Sequence, residues 1–194
     1  MSAASPPVAR KPAARDRLLA AADELFYTEG VHTVGIDRVI EHAGVAKASL
    51  YSTFGSKEGL IRAYLEGRHQ RRRDQIEAGL ARYDNPRDRL LGIFDILAEL
   101  AASPTFRGCA FYNASAESRP GGAVEQVSKE TRAWTRSLFT SLAREAGAKD
   151  PESLAAQLVV LYDGSLVGAR MDHTPTAMTI SRAMAAALLD AATL

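Results

Sequence analysis

The sequence predicts an all-α protein, with an amino-terminal three-helix domain built around a helix-turn-helix and a larger helical domain behind it. Three observations predict this. Apolar residues recur every three or four positions in run after run, which gathers them on one face of a helix. Glycine, proline, Asn and Asp punctuate those runs at helix-length intervals. No run has the apolar/polar alternation of a half-buried strand, and there is no internal repeat. At 194 residues and 46% hydrophobic content, the chain has enough apolar surface to bury a substantial core.

Residues 1–12 read as a flexible basic arm, rich in Pro and small residues and closed by Arg10 and Lys11. Residues 13–28 then place Leu18, Ala22, Leu25 and Phe26 on one helical face, and Gly30 stops the helix. Phe26 is expected near Leu50 and Phe54. A connection over residues 31–35 leads to Ile36, Val39 and Ile40, again at helical spacing. Gly44 interrupts them, because glycine takes the left-handed backbone that ends a helix at little steric cost.

A second short helix over residues 46–53 turns Leu50 inward and leaves Lys47, Ala48, Ser49, Tyr51 and Ser52 on or near its outer face. Two short helices around a tight turn, with the second presenting small and polar side chains, match a hairpin that enters the major groove of DNA. Ala46 and Ala48 allow close approach of the backbone. Lys47 reaches a base edge or phosphate, and the Tyr51 hydroxyl donates to a phosphate. Ser56 reads as the N-cap of the next helix, so that helix's positive end and Lys57 can hold a phosphate together.

From Ser56 a long helix is expected to run toward Tyr83 through Leu60, Ile61, Tyr64, Leu65, Ile76 and Leu80. Its Arg71-Arg72-Arg73 run reads as a solvated face. A break at Asp84-Asn85-Pro86 precedes an amphipathic helix over residues 87–102, which Ser103-Pro104 ends. Residues 108–117 mix small apolar side chains with hydrogen-bonding groups, as a partly enclosed ligand pocket requires. Cys109, Phe111, Tyr112 and Asn113 from this segment, with Trp134 and Tyr162 from the helices that follow, are the candidate walls.

A long helix over residues 124–147 comes next, and Pro151 opens another. Residues 153–170 are apolar nearly all round, so that helix must be covered on more than one side. Gly164, Ser165 and Gly168 would let a neighbour approach closely, and a symmetric dimer built from the last two long helices is the economical partner. After a turn at residues 172–175 the terminal helix carries Met178, Ile180, Met184, Leu188 and Leu189, with the two methionines as core filling.

The segment AGVAKASLYSTFGSKEGL resembles the signature of the TetR family of bacterial transcriptional regulators, with Ala43-Gly44-Val45, Leu50-Tyr51, Phe54, Ser56-Lys57 and Leu60 all in register. Two positions depart from the family pattern. Gly35 stands where many members carry a Thr that caps the second helix and touches phosphate, and Ser52 replaces a frequent His or aromatic residue. Thr33 is the nearest hydroxyl able to take over the lost contact, and Arg38 is the next candidate for a phosphate.

The resemblance implies a domain division at residues 13–57 and 58–194, the first reading DNA and the second binding ligand and dimerising. It also implies a homodimer on a palindromic double-stranded operator, released as a repressor by a small apolar or amphipathic ligand. Activators exist in the family too.

The charge distribution agrees with such a partner. Net charge is +1, yet 12 Lys+Arg face 8 Asp+Glu through Arg73, against 12 and 15 in the remainder. A single cysteine, Cys109, excludes an intrachain disulfide and fits a cytoplasmic protein. No apolar run approaches the ~20 residues of a membrane span, and residues 1–12 lack the apolar stretch of a secretory signal, so the chain is expected to stay in the cytoplasm.

His32, His42, His69 and His173 are too scattered for a zinc site, so no metal or other cofactor is expected. No glycine-rich phosphate loop or nucleophile elbow occurs, and no catalytic residue is assigned. The competing reading is an all-helical small-molecule enzyme or carrier with a purely structural hairpin. It predicts turnover or ligand binding without salt-dependent DNA affinity.

Overall fold

The computed structural model describes residues 12–194 and contains nine helices and no strand among them. The proposed arm, with Arg10 and Lys11, lies outside the described residues. The chain divides into two compact units, one through Tyr64 and the other Leu65–Leu194.

The first unit contains α1 (Ala14–Glu29), α2 (Ile36–Ala43), α3 (Lys47–Phe54) and the opening turns of α4 (Lys57–Leu80). Its core is Leu18, Leu25, Phe26, Val31, Val34, Val39, Leu50, Leu60 and Tyr64, all buried. The Phe26 and Tyr64 rings meet edge to face with centroids 5.6 Å apart. Gly44 ends α2 in the left-handed conformation (φ 61, ψ 46). Arg17 of α1 donates to the carbonyls of Ala43 and Gly44 at 3.1 and 2.7 Å, satisfying acceptors that a helix end leaves open.

Ser56 caps α4, its Oγ accepting from Gly59 N at 3.0 Å. Gly59 itself is obligatory by contact, since a Cβ there would lie 2.0 Å from the Phe54 carbonyl oxygen. This contact sets how closely α3 and α4 join.

The second unit takes the rest of α4 with α5 (Pro86–Ala101), α6 (Ala110–Glu117), α7 (Ala123–Glu145), α8 (Pro151–Asp172) and α9 (Thr176–Thr193). Asn85 and Asp150 cap α5 and α8, each with proline next, and their side chains accept from Asp88 N and Ser153 N. Phe94, Leu97, Phe139, Leu142, Leu158, Leu166 and Met178 form the centre of one continuous core. The sequence places the end of α4 near Tyr83. It ends instead at Leu80, where a turn follows with Tyr83 N bonded to the Leu80 carbonyl.

Three expectations are corrected here. Arg71 is exposed, but Arg72 and Arg73 are half-buried rather than part of a solvated face, because α7 and α8 side chains cover that side of α4. Gly168 faces the chain's own α9, where an added Cβ would sit 2.9 Å from Ala177 Cβ, so its small size serves internal packing. Met178 is buried as expected, whereas Met184 is 51% exposed and fills no core.

Candidate nucleic-acid interface and effector site

α3 is organised by one inward anchor. Leu50 is fully buried, and helical geometry then turns the residues on either side of it outward. Lys47, Ala48, Tyr51 and Ser52 are exposed and Ser49 is half-buried. Ala46 is the exposed N-cap residue and makes no side-chain cap. Ser52 and Thr53 hydroxyls donate to the Ser49 carbonyl at 3.2 and 2.6 Å, which ties them to the helix backbone.

The cations around α3 are already engaged. Lys47 Nζ donates to Asp37 Oδ1 at 2.8 Å, and this hydrogen bond pushes the lysine pKa up. Arg38 makes a two-pronged ion pair with Glu29, one limb measuring 2.8 Å. Lys57, the first residue of α4, points its ammonium toward the His32 carbonyl at 3.5 Å. Thr33 is exposed in the loop before α2, and Gly35 provides no side-chain cap there.

The candidate pocket residues separate into groups. Phe111 and Trp134 are brought together by His69, whose ring meets theirs edge to face at 6.5 and 5.6 Å. Tyr162 is buried against Phe139 at 6.0 Å, and its hydroxyl accepts from Arg72 at 3.4 Å. Cys109 is half-buried at the start of α6, and burial pushes its thiol pKa up, as it does the Tyr162 phenol. Asn113 Nδ2 donates to the Arg107 carbonyl at 2.9 Å, bracing the loop before α6. Tyr112 stands apart, 58% exposed.

Sequence reasoning missed His69, Arg72 and Arg73. Their positions three and four apart on α4 were the available signal, since that spacing puts them on one helical face. Burial, reinforced by Arg73, holds the His69 pKa below its ordinary value, against a raising influence of Glu130. The Arg73 guanidinium lies 5.6 Å from the Trp134 ring centre.

Among the described residues, no group of three or more His, Cys, Asp or Glu side chains could hold a metal ion. No helix among them is long and apolar enough to cross a membrane.

Residues 18–64 match the family model described as bacterial regulatory proteins, tetR family. The fold is similar to that of SCO4454, a TetR-family transcriptional regulator from Streptomyces coelicolor. That likeness has a TM-score of 0.87 and 31% identity, and covers 93% of this chain and 96% of that one. The transcriptional activator FasR of Mycolicibacterium smegmatis is 28% identical over 133 residues, 69% of this chain and 60% of that protein. The transcriptional repressor NemR of Escherichia coli K12 is 32% identical over 108 residues, 53% of each chain. The chain thus spans little more than half the length of these two curated relatives. With the matched hairpin and the near-complete structural likeness at 31% identity, the chain belongs to the TetR family of bacterial transcriptional regulators.

Proposed function

We propose that the protein is a homodimeric, sequence-specific DNA-binding regulator, a repressor that a small apolar or amphipathic ligand releases from a palindromic operator. The observation that carries it is the outward face of α3. A helix anchored by fully buried Leu50 offers Lys47, Ala48, Tyr51 and Ser52 to solvent, with small side chains where a groove wall would come close. In this reading Ala46, Lys47, Ala48 and Ser49 approach base edges. Thr33, Arg38, Tyr51, Ser52 and Lys57 hold the phosphates that set register. Residues 13–57 read DNA, and residues 58–194 bind ligand and dimerise.

The dimer has support from two exposed apolar stripes. Val160, Gly164 and Met171 lie outward on α8, and Ile180 and Met184 outward on α9. Spacings of four, seven and eleven residues keep each set on one side of its helix. A second copy covering these stripes would form an isologous interface. Two reading heads then need a separation of about 34–36 Å to meet successive major-groove faces. A ligand shifts that fit only if it binds the non-DNA-binding state more tightly.

Selection of binding sites from a random double-stranded DNA pool tests this. Enrichment of a palindrome is the expected outcome. Recovery of no common site from repeated rounds would remove the proposal.

A further inference from the structure

Arg72 is a half-buried guanidinium with no carboxylate in ion-pair range among the described residues. It donates to the Tyr162 hydroxyl, a neutral group, at 3.4 Å. The neighbouring arginines have carboxylates: Arg73 lies 3.5 Å from Glu77, and Arg132 lies 2.6 Å from Asp163. Tyr162 and Cys109, the groups on which the Arg72 charge acts, are both held in their protonated forms by burial, so neither supplies a negative charge.

Beside Arg72, on the same face of α4, stands an unsatisfied group. His69 Nδ1 is buried without a hydrogen-bond partner, as are Arg73 Nε, Ser128 Oγ and Thr131 Oγ1. Ser128, Thr131 and Trp134 follow at intervals of three along α7, and Trp134 is the residue that meets His69. Buried polar atoms in native proteins are almost always paired, and leaving one unpaired costs stability. Four on two facing helices, beside a cation without a carboxylate, describe a site for a polar group supplied from outside. Phe111, His69 and Trp134 contribute edge-to-face aromatic walls around it. Glu130, the acid that acts on His69, is exposed, and Asp163, whose charge reaches Tyr162 and Cys109 as that of Arg72 does, is paired with Arg132.

We propose that Arg72, with His69 and Tyr162, receives the carboxylate of an aromatic acid whose ring lies against Phe111 and Trp134. This rests on the ligand-responsive reading above and names the ligand class for it. The planar guanidinium fork matches a carboxylate with two parallel hydrogen bonds, which a neutral amide cannot reproduce.

Trp134 is the only tryptophan, so intrinsic fluorescence reports on this site. The 194-residue chain, without DNA, is titrated with benzoate, 1-naphthoate and 2-naphthoate and with the three matching amides. At least one acid quenches Trp134 saturably, and its amide binds about tenfold or more weakly, since a hydrogen-bonded charge is lost. Arg72→Gln weakens that acid by about tenfold as well, while Arg71→Gln on the exposed side does not. Three results would overturn the proposal: amides binding as tightly as acids, Arg72→Gln retaining wild-type affinity, or no acid saturating by about 10 mM. The acid and amide comparison needs no substitution, so a poorly folded Arg72→Gln does not decide it. Because no DNA is present, failure here leaves site selection standing, and failed site selection leaves acid binding standing.

Discussion

Lys47 Nζ and Asp37 Oδ1 lie 2.8 Å apart, so the single lysine of α3 is held by a carboxylate from the helix before it. Both side chains are exposed, at 60% and 83%, and the pair is therefore weak and exchangeable in water. In the proposed reading, Asp37 and the DNA acceptor of Lys47, a base edge or a phosphate, compete for the same ammonium. Asp37→Asn is expected to tighten operator binding about two- to fivefold at low salt, the scale of an exposed ion pair. Unchanged or weaker binding in a titration of the variant would show that the aspartate does not restrain Lys47.

Gly59 tests the joint between α3 and α4. A methyl group there would enter the Phe54 carbonyl at 2.0 Å, and neither partner is a flexible side-chain end. Gly59→Ala should lower stability by about 1–3 kcal/mol, the usual cost of forcing atoms into a filled space. Urea unfolding followed by circular dichroism measures it, and operator affinity should fall in parallel as α3 is displaced.

His69 gives a pH prediction with a definite sign. Its folded pKa is lowered from 6.5, chiefly by burial, so the unfolded chain binds the proton more readily. Stability therefore rises with pH across the window between the lowered value and about 6.5, and is lost as pH falls through it. His69→Gln should flatten that part of the stability profile measured by thermal melts from pH 5 to 7. A profile as steep as wild type would assign the dependence to other groups.

The exposed stripes on α8 and α9 predict assembly. Val160 and Ile180 are 69% and 56% exposed, so charging them spares the core. Val160→Glu with Ile180→Glu should give a monomer in sedimentation velocity with its helical content intact. A double variant that sediments as a dimer would place the interface elsewhere.

The hairpin was legible because its determinants are local. Gly44 marks the end of α2, Leu50 the buried side of α3, and Ser56 the cap of α4, each within a turn of what it controls. What escaped depends on residues far along the chain. The Arg71-Arg72-Arg73 run has no sequence feature announcing that Tyr162, 90 residues from Arg72, will cover part of it. Gly168 signals close approach but cannot say whether the neighbour is α9 of the same chain or a second copy. Met178 and Met184 look alike in the apolar pattern, yet the first is buried and the second exposed. The ion pairs Lys47–Asp37 and Arg38–Glu29, which engage two of the proposed DNA contacts, were equally hidden.

The most direct test of dimeric reading through α3 is the salt dependence of binding to the selected palindrome, for wild type and for Lys47→Ala. Each phosphate neutralised contributes about 0.9 to the slope of log K against log salt. If Lys47 meets phosphate in both protomers, the variant's slope falls by about 1.8, and affinity drops most at low salt. If Lys47 meets a base edge instead, the slope stays close and affinity falls mainly on the selected site. Equal slopes and equal affinities for both proteins, on selected and unselected DNA alike, would contradict recognition through Lys47 and α3.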